Sequence, residues 1–263
     1  TWKRRSNGIR LGGRFVGRPA VSEGKGETMN APYNQDVLAA AEACFAQASQ
    51  LLYCEPDAEV VADQVAERPF QNAPFGMDDA DVREGMALMD AWCVAAAADE
   101  AGFDERVAAL RREWLRLFVG AGTPDAPSWE SFYRDPNSQL FSARTLEVRE
   151  RYRRHGLQIE RLYAEPDDHL GLMLGFVGHL IGLEAEALAV GDGAAAGEAA
   201  DEQESFLVEH VLPWLAAWRY SVDAHASSDY FRGAGAFVFG LCARYAQRFG
   251  VAFDREGQVF KRK

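Results

Sequence analysis

The sequence predicts an all-α fold of about eight to ten helices. Three observations predict it. Apolar residues recur with a 3.6-residue period through segment after segment. Ala and Leu dominate, while runs of alternating β-branched residues are missing. Pro or Gly stands where several of the periodic segments stop. No repeat of fixed period is visible. With 48% hydrophobic and 26% charged residues among 263, the balance is that of an ordinary globular protein and argues against a fibrous or low-complexity chain.

The elements follow in order. Residues 34–54 place Val37, Leu38, Ala41, Cys44, Phe45, Ala48, Leu51 and Leu52 on one helical face, and Pro56 stops the run. Residues 57–67 form a short helix. Residues 79–101 repeat the pattern through Val82, Met86, Met89, Trp92 and Cys93, with Gly102 as C-cap. Residues 104–119 align Val107, Leu110, Trp114, Leu115 and Phe118, and residues 120–127 are a Gly/Pro loop. Residues 142–155 are an Arg/Glu-rich helix closed by Gly156. Three long helices complete the chain, over residues 166–190, 202–224 and 228–250. In the first of these, Gly171, Gly175, Gly178 and Gly182 fall on one face. Each costs about 1 kcal/mol relative to Ala, so a neighbouring element should approach closely there. Leu172, Leu174, Phe176, Leu180 and Leu183 form the core face.

Charge divides the chain. Residues 1–28 carry seven basic and two acidic side chains, a net of +5, within a total of −12; the rest is therefore −17. This Gly/Arg-rich stretch lacks any apolar period and reads as a disordered basic tail, a segment appended ahead of a start at Met29. Arg4-Arg5 has no apolar stretch of about 7–15 residues behind it, so it is no export signal. Residues 29–160 and 161–263 are read as the N- and C-terminal helical parts of one domain. A pI near 4.9 speaks against a nucleic-acid binder. The best apolar run, residues 170–183, falls short of the roughly twenty residues a membrane span needs. Cys44, Cys54, Cys93 and Cys242 form no CxxC pair and fit packed thiols in a reducing compartment.

Motifs for chemistry are missing. The sequence has no HExxH, no paired ExxH, no GxSxG and no GxxxxGK[ST]. One constellation stands out instead, Glu165-Pro166-Asp167-Asp168-His169, directly before the glycine-bearing helix. Pro suits a first helical turn, carboxylates suit the positive end of the helix dipole, and neighbouring carboxylates favour a charged His169. The constellation is either a well-capped helix entrance or an acidic, titratable patch that grips a basic partner. A second feature is the stretch Pro127 to Tyr133, whose Trp129, Phe132 and Tyr133 either cover a core edge or line an apolar pocket.

Three segments together resemble the TorD/DmsD/NarJ-type chaperones of molybdoenzyme maturation. Pro127 to Tyr133 is similar to the family's Pro-x-x-Glu-Ser-x-Tyr element. Thr145-Leu146-Glu147-Val148-Arg149, Tyr152, Gly156-Leu157 and Glu165 to Leu170 resemble its Arg-x-x-Tyr…Gly…Glu-Pro-x-Asp-His-Leu stretch. Phe206 with Glu209-His210-Val211-Leu212-Pro213-Trp214 resembles its Phe-x-x-x-His-Leu-x-x-Trp element. The resemblance implies a TorD-like helical bundle, cytoplasmic and without chemistry of its own. It implies partners too, namely the twin-arginine leader and the apoprotein of a molybdopterin oxidoreductase, whose export is held back until the cofactor is inserted. Glu165, Pro166, Asp167, Asp168 and His169 would be leader-binding hinge residues, with Trp129, Glu130, Ser131 and Tyr133 lining the neighbouring surface. Some relatives bind GTP, for which this chain has no phosphate loop; a homodimer and a monomer are both open.

An acidic body suits a leader with a basic head and an apolar middle. On that reading Asp167 and Asp168 meet the leader arginines, and replacing Asp168 and His169 with Ala weakens binding without unfolding. The tail's own Arg4-Arg5 would compete for the same surface. The rival readings are an acid/base enzyme using His169 with Asp167 or Asp168, and a helical adaptor without leader affinity.

Overall fold

The computed structural model describes residues 2–4, 33–120, 122–135, 137, 141–159 and 165–262. Most helices start where the sequence supplies an oxygen to cap them. Asn34 accepts the Val37 N–H at 2.9 Å and opens α1 (Gln35–Tyr53). Asp57 caps α2 (Ala58–Glu67), Asp79 caps α3 (Ala80–Ala97), and α4 (Phe103–Trp114) continues into a single π turn, Leu115–Val119. A short α5 (Glu130–Arg134) precedes α6 (Ala143–Arg154), which Ser142 caps. The central helix is α7 (Leu170–Ala189). Next come α8 (Gly193–Phe206), a π turn over Leu207–Val211, α9 (Leu212–His225) and α10 (Asp229–Ala246). Two small antiparallel sheets complete the described residues: β1 (Trp2–Arg4) with β2 (Leu157–Ile159), and β3 (Val251–Asp254) with β4 (Val259–Arg262).

The fold class is as expected, and five details differ. α7 starts at Leu170 instead of residue 166, because Pro166 to Asp168 form a turn and His169 is extended (φ −70°, ψ 128°). α8 starts nine residues before the expected 202, since Asp192 caps an Ala/Gly-rich first half that has no apolar period to reveal it. Gly102 caps no long helix: α3 ends at Ala97, and Gly102 closes a 3-10 turn bonded to Asp99. The β3–β4 hairpin is unforeseen and packs Phe253 and Phe260 on Phe239, with ring centroids 4.9 and 5.8 Å away. Of residues 1–28, read from sequence as a structureless tail, Trp2–Arg4 form a strand, and residues 5–28 lie outside the described residues.

Two helix pairs make the core, α7 on α1 and α10 on α3. The glycine face of α7 does meet α1. A Cβ on Gly171 would sit 2.9 Å from Tyr53 Cβ and 3.1 Å from the Ser49 carbonyl oxygen. The tighter approach is elsewhere. On α3, a Cβ at Gly85 would fall 2.4 Å from the Phe237 nitrogen and 2.6 Å from the Gly233 carbonyl oxygen. Two backbones touch there, and neither can retreat. α7 is long and apolar enough to cross a membrane by length and composition, yet 61% of its apolar window is buried inside the protein, as in a core helix. Between α7, α8 and α10, Glu184 takes the Arg248 guanidinium at 2.7 Å, while Gln203 accepts the Tyr245 hydroxyl at 2.6 Å. Cys44, Cys93 and Cys242 are buried thiols pushed above their ordinary range; Cys54 is exposed.

This packing makes a paired prediction. Gly85→Ala should destabilise the protein by about 1–3 kcal/mol, because the added methyl has only backbone to displace. Gly197→Ala, on an exposed stretch of α8 with no atom within 4 Å of the added Cβ, should stabilise it by up to about 1 kcal/mol. Urea midpoints of both variants check the contrast.

Candidate functional site

The start of α7 is a junction of four chain segments. Residues 128–130 run antiparallel to 168–170 for one bridge, Trp129 opposite His169. The Leu170 N–H donates to the Ser128 carbonyl at 2.6 Å, and the Glu130 N–H to the Asp168 carbonyl at 3.1 Å. Asp168, fully buried, ties in both flanking helices. Its Oδ2 accepts the Ser131 N–H of α5 at 2.8 Å, and its Oδ1 accepts the Thr145 hydroxyl of α6 at 2.8 Å. Asp167, also buried, accepts the Arg149 guanidinium of α6 at 3.0 and 2.7 Å, while the Tyr152 hydroxyl donates to its carbonyl at 2.8 Å. Burial pushes the Asp167 carboxyl up from its ordinary range, and Arg149 counters that.

His169 is the N-cap. Its Nδ1 accepts the Gly171 N–H at 3.1 Å, which requires an unprotonated Nδ1. The ring packs edge-on against Tyr53 and Trp129, at 5.4 and 5.9 Å between centroids. Burial pushes its pKa down to about 3. The expectation of a charged, titratable His169 is therefore corrected: both neighbouring carboxylates point into other partners, and desolvation decides. Trp129 donates its indole N–H to Glu165 at 2.9 Å, and Glu165 is the part-exposed member of the five residues from 165 to 169.

The opposite side of α5 binds the other helical arm. Glu130 is fully buried and receives Arg134 at 2.6 Å, with His210 Nδ1 3.0 Å from its Oε2. His210 reaches Glu130 from the π turn that precedes Pro213. Proline has no N–H, so the Glu209 carbonyl four residues back loses its helical donor; the Arg134 guanidinium bonds it instead. The His210 carbonyl also accepts the Trp214 indole N–H at 2.5 Å. Tyr133 stands apart from the junction, stacked on Trp214 at 5.2 Å.

Of the residues singled out in the sequence, Trp129, Glu130, Ser131 and Glu165 to His169 are brought together, and Tyr133 faces α9. All except Glu165 and Tyr133 are buried. Thr145, Arg149, Tyr152 and His210 belong to the same junction. Spacing could have marked the first three, since 145, 149 and 152 share one face of an otherwise solvated helix. Beside the junction, an open depression of about 600 Å³ lies between α6 and the second π turn, lined by Arg134, Arg144, Glu147, Glu150, Arg151 and His210 among others. Its charge is mixed, whereas the sequence suggests an acidic surface.

The junction is built from internal hydrogen bonds, with an unprotonated histidine nitrogen as a cap, and the fold that it ties together is an all-helical bundle. The chain belongs to the nitrate reductase delta subunit family, whose sequence profile matches residues 77–219. It is similar to the Tat proofreading chaperone DmsD of Salmonella typhimurium, 29% identical over 126 residues that cover 48% of this chain and 55% of that one. It is also similar to the chaperone protein TorD of Vibrio cholerae, 29% identical over 109 residues, 41% of this chain and 48% of that one. The chain spans about half the length of the curated relatives it matches.

Two outcomes test the junction. Asp168→Ala should cost about 2–4 kcal/mol, since it leaves the Ser131 N–H and the Thr145 hydroxyl buried without an acceptor. Alanine at 168 and 169 is thus expected to weaken the fold, unlike the sequence-based expectation. The second outcome is a pH dependence. Between its ordinary value of 6.5 and about pH 3, the unfolded chain binds a proton at residue 169 that the folded chain refuses. Stability should fall on acidification through that window, by up to about 1.4 kcal/mol per pH unit from this group. Asp167, with its raised pKa, works in the opposite direction at the acid end. His169→Asn keeps a capping side chain and leaves Asp167 in place, so it should flatten the slope of urea midpoints between pH 7 and 5.

Proposed function

We propose that this chain is a maturation chaperone that binds the twin-arginine leader and the apoprotein of a molybdopterin oxidoreductase in the cytoplasm and holds back export until the cofactor is inserted. One observation carries the reading. The segments that resemble the chaperone family, separated by up to about eighty residues, converge on one junction: Ser131, Thr145, Arg149, Tyr152, Asp167, Asp168, His169 and the Glu130–His210 pair. The names of the similar proteins, a Tat proofreading chaperone and a chaperone protein, support it.

The buried residues of this junction then act by positioning. Asp167 and Asp168 are held by internal partners and fix the entry to α7, while Glu165 faces the leader at the rim. A basic leader head is drawn by the acidic balance of residues 29–263 and meets Glu165 at the rim. Its apolar middle meets exposed apolar side chains such as Leu146 on α6. Charge steers the encounter and apolar contact holds the complex. Against the acid/base enzyme reading stand the burial of His169, which pushes its pKa down, and the Gly171 N–H already on its Nδ1.

The test is a titration with a synthetic twin-arginine leader, followed by Trp fluorescence at low and moderate salt. Saturable binding that weakens with salt, and fails when the leader's apolar middle is made polar, is expected. Glu165→Gln, which keeps an oxygen for the Trp129 indole N–H, should weaken binding about two- to fivefold at low salt. A folded protein that binds no such leader would leave the adaptor reading in its place.

A further inference from the structure

Strand β2 has an edge that the junction leaves open. Gly156, at φ +68°, turns the chain out of α6 into the extended Leu157–Ile159. Leu157 and Ile159 are buried and Gln158 is half-buried, so the strand is anchored by alternate side chains. Among the described residues it pairs with one strand, β1. The register is antiparallel, with Trp2 opposite Ile159, Lys3 opposite Gln158 and Arg4 opposite Leu157. Leu157 and Gln158 also border a small crevice shared with Arg149, Tyr152 and Asp167. The register thus sets a Lys-Arg pair across from the two β2 residues nearest the junction.

We propose that the β2 edge is a strand-addition site for an extended, basic peptide segment, with Trp2–Arg4 as its resident occupant and the client leader as the competitor that displaces it. The second half rests on the leader-binding reading above. A single edge strand offers a row of unpaired N–H and C=O groups, and any extended backbone satisfies them. The ladder supplies affinity without regard to sequence. Selection comes from charge and from the junction beside it. The acidic balance of residues 29–263 draws a basic segment such as Lys3-Arg4-Arg5 toward the protein at long range, while beside β2 the crevice sets Arg149 and Arg153 against Asp167, so backbone pairing and not local charge seats it. The site belongs to β2, whichever segment fills it. An edge occupied in cis weakens apparent affinity in proportion to the time it is free, so a client must outbid the chain's own strand.

The experiment uses the full chain and a Lys3→Pro/Arg4→Pro variant. Ladder N–H groups alternate along a strand, so adjacent prolines remove one whichever of the two faces β2. Hydrogen exchange is read at the amides of Leu157–Ile159, and leader affinity is measured for both forms. The expected result has three parts. The amides of β2 exchange faster in the proline variant. The variant binds the leader about tenfold more tightly, the factor for an edge filled about nine-tenths of the time. The bound leader restores protection at Leu157–Ile159. Equal exchange in the two forms overturns the resident strand. Equal leader affinity with no change in β2 exchange overturns the competition and leaves leader binding standing, at another surface. Absence of leader binding by both forms overturns the chaperone reading and the competition with it, while the exchange difference alone still decides whether Trp2–Arg4 occupies β2.

Discussion

Everything around α7 depends on the carboxylate of Asp168. One oxygen holds the first turn of α5 and the other holds α6, so a single side chain sets three helices at one point. Burial makes this tie strict. A charge-assisted hydrogen bond in a low-dielectric interior is strong, and each buried partner would be costly to leave unsatisfied. The Trp129–His169 bridge and the Tyr152 hydroxyl on the Asp167 carbonyl then fix the backbone on either side of it. The entry to α7 is thereby over-determined, and its outer rim, with Glu165 and β2, is held in place by groups that never meet solvent.

The second constraint is a proline. Pro213 falls inside what would otherwise be one helix from Gly193 to His225, and the π turn before it absorbs the missing N–H. The Glu209 carbonyl, which loses its helical donor to Pro213, is taken by Arg134, and the Trp214 indole N–H bonds the neighbouring His210 carbonyl. This local irregularity swings His210 onto Glu130. The arm of α8 and α9 is thus joined to the junction through a buried polar pair, and a change at either end is felt through α5 at the other.

Most of the helices were legible because periodicity is a local signal, and the ranges read from residues 34, 57, 79 and 142 begin at the residues that prove to be the caps. The first half of α8 was not, for Ala and Gly bury too little to leave a stripe. Nor was the meeting of Gly85 with Gly233, since close approach depends on which helix lies opposite, a tertiary fact. The residues of the junction were legible as a motif, but their burial was not. Carboxylates beside a histidine read as a charged patch in one dimension; in three, Arg149, Thr145 and the Ser131 N–H claim them first. The sign of the His169 shift followed from that, because desolvation outweighed charges already spent elsewhere.

The cysteines have a practical consequence. Burial pushes all four thiols up from their ordinary range, but Cys44, Cys93 and Cys242 lie in the core, while Cys54 is exposed and next in sequence to Tyr53, whose ring rests against His169. A thiol-reactive dye added to the native protein would therefore label one position and place it beside the entry to α7. The chain carries its own attachment point for following that junction by fluorescence or spin label, with no cysteine to remove and none to introduce.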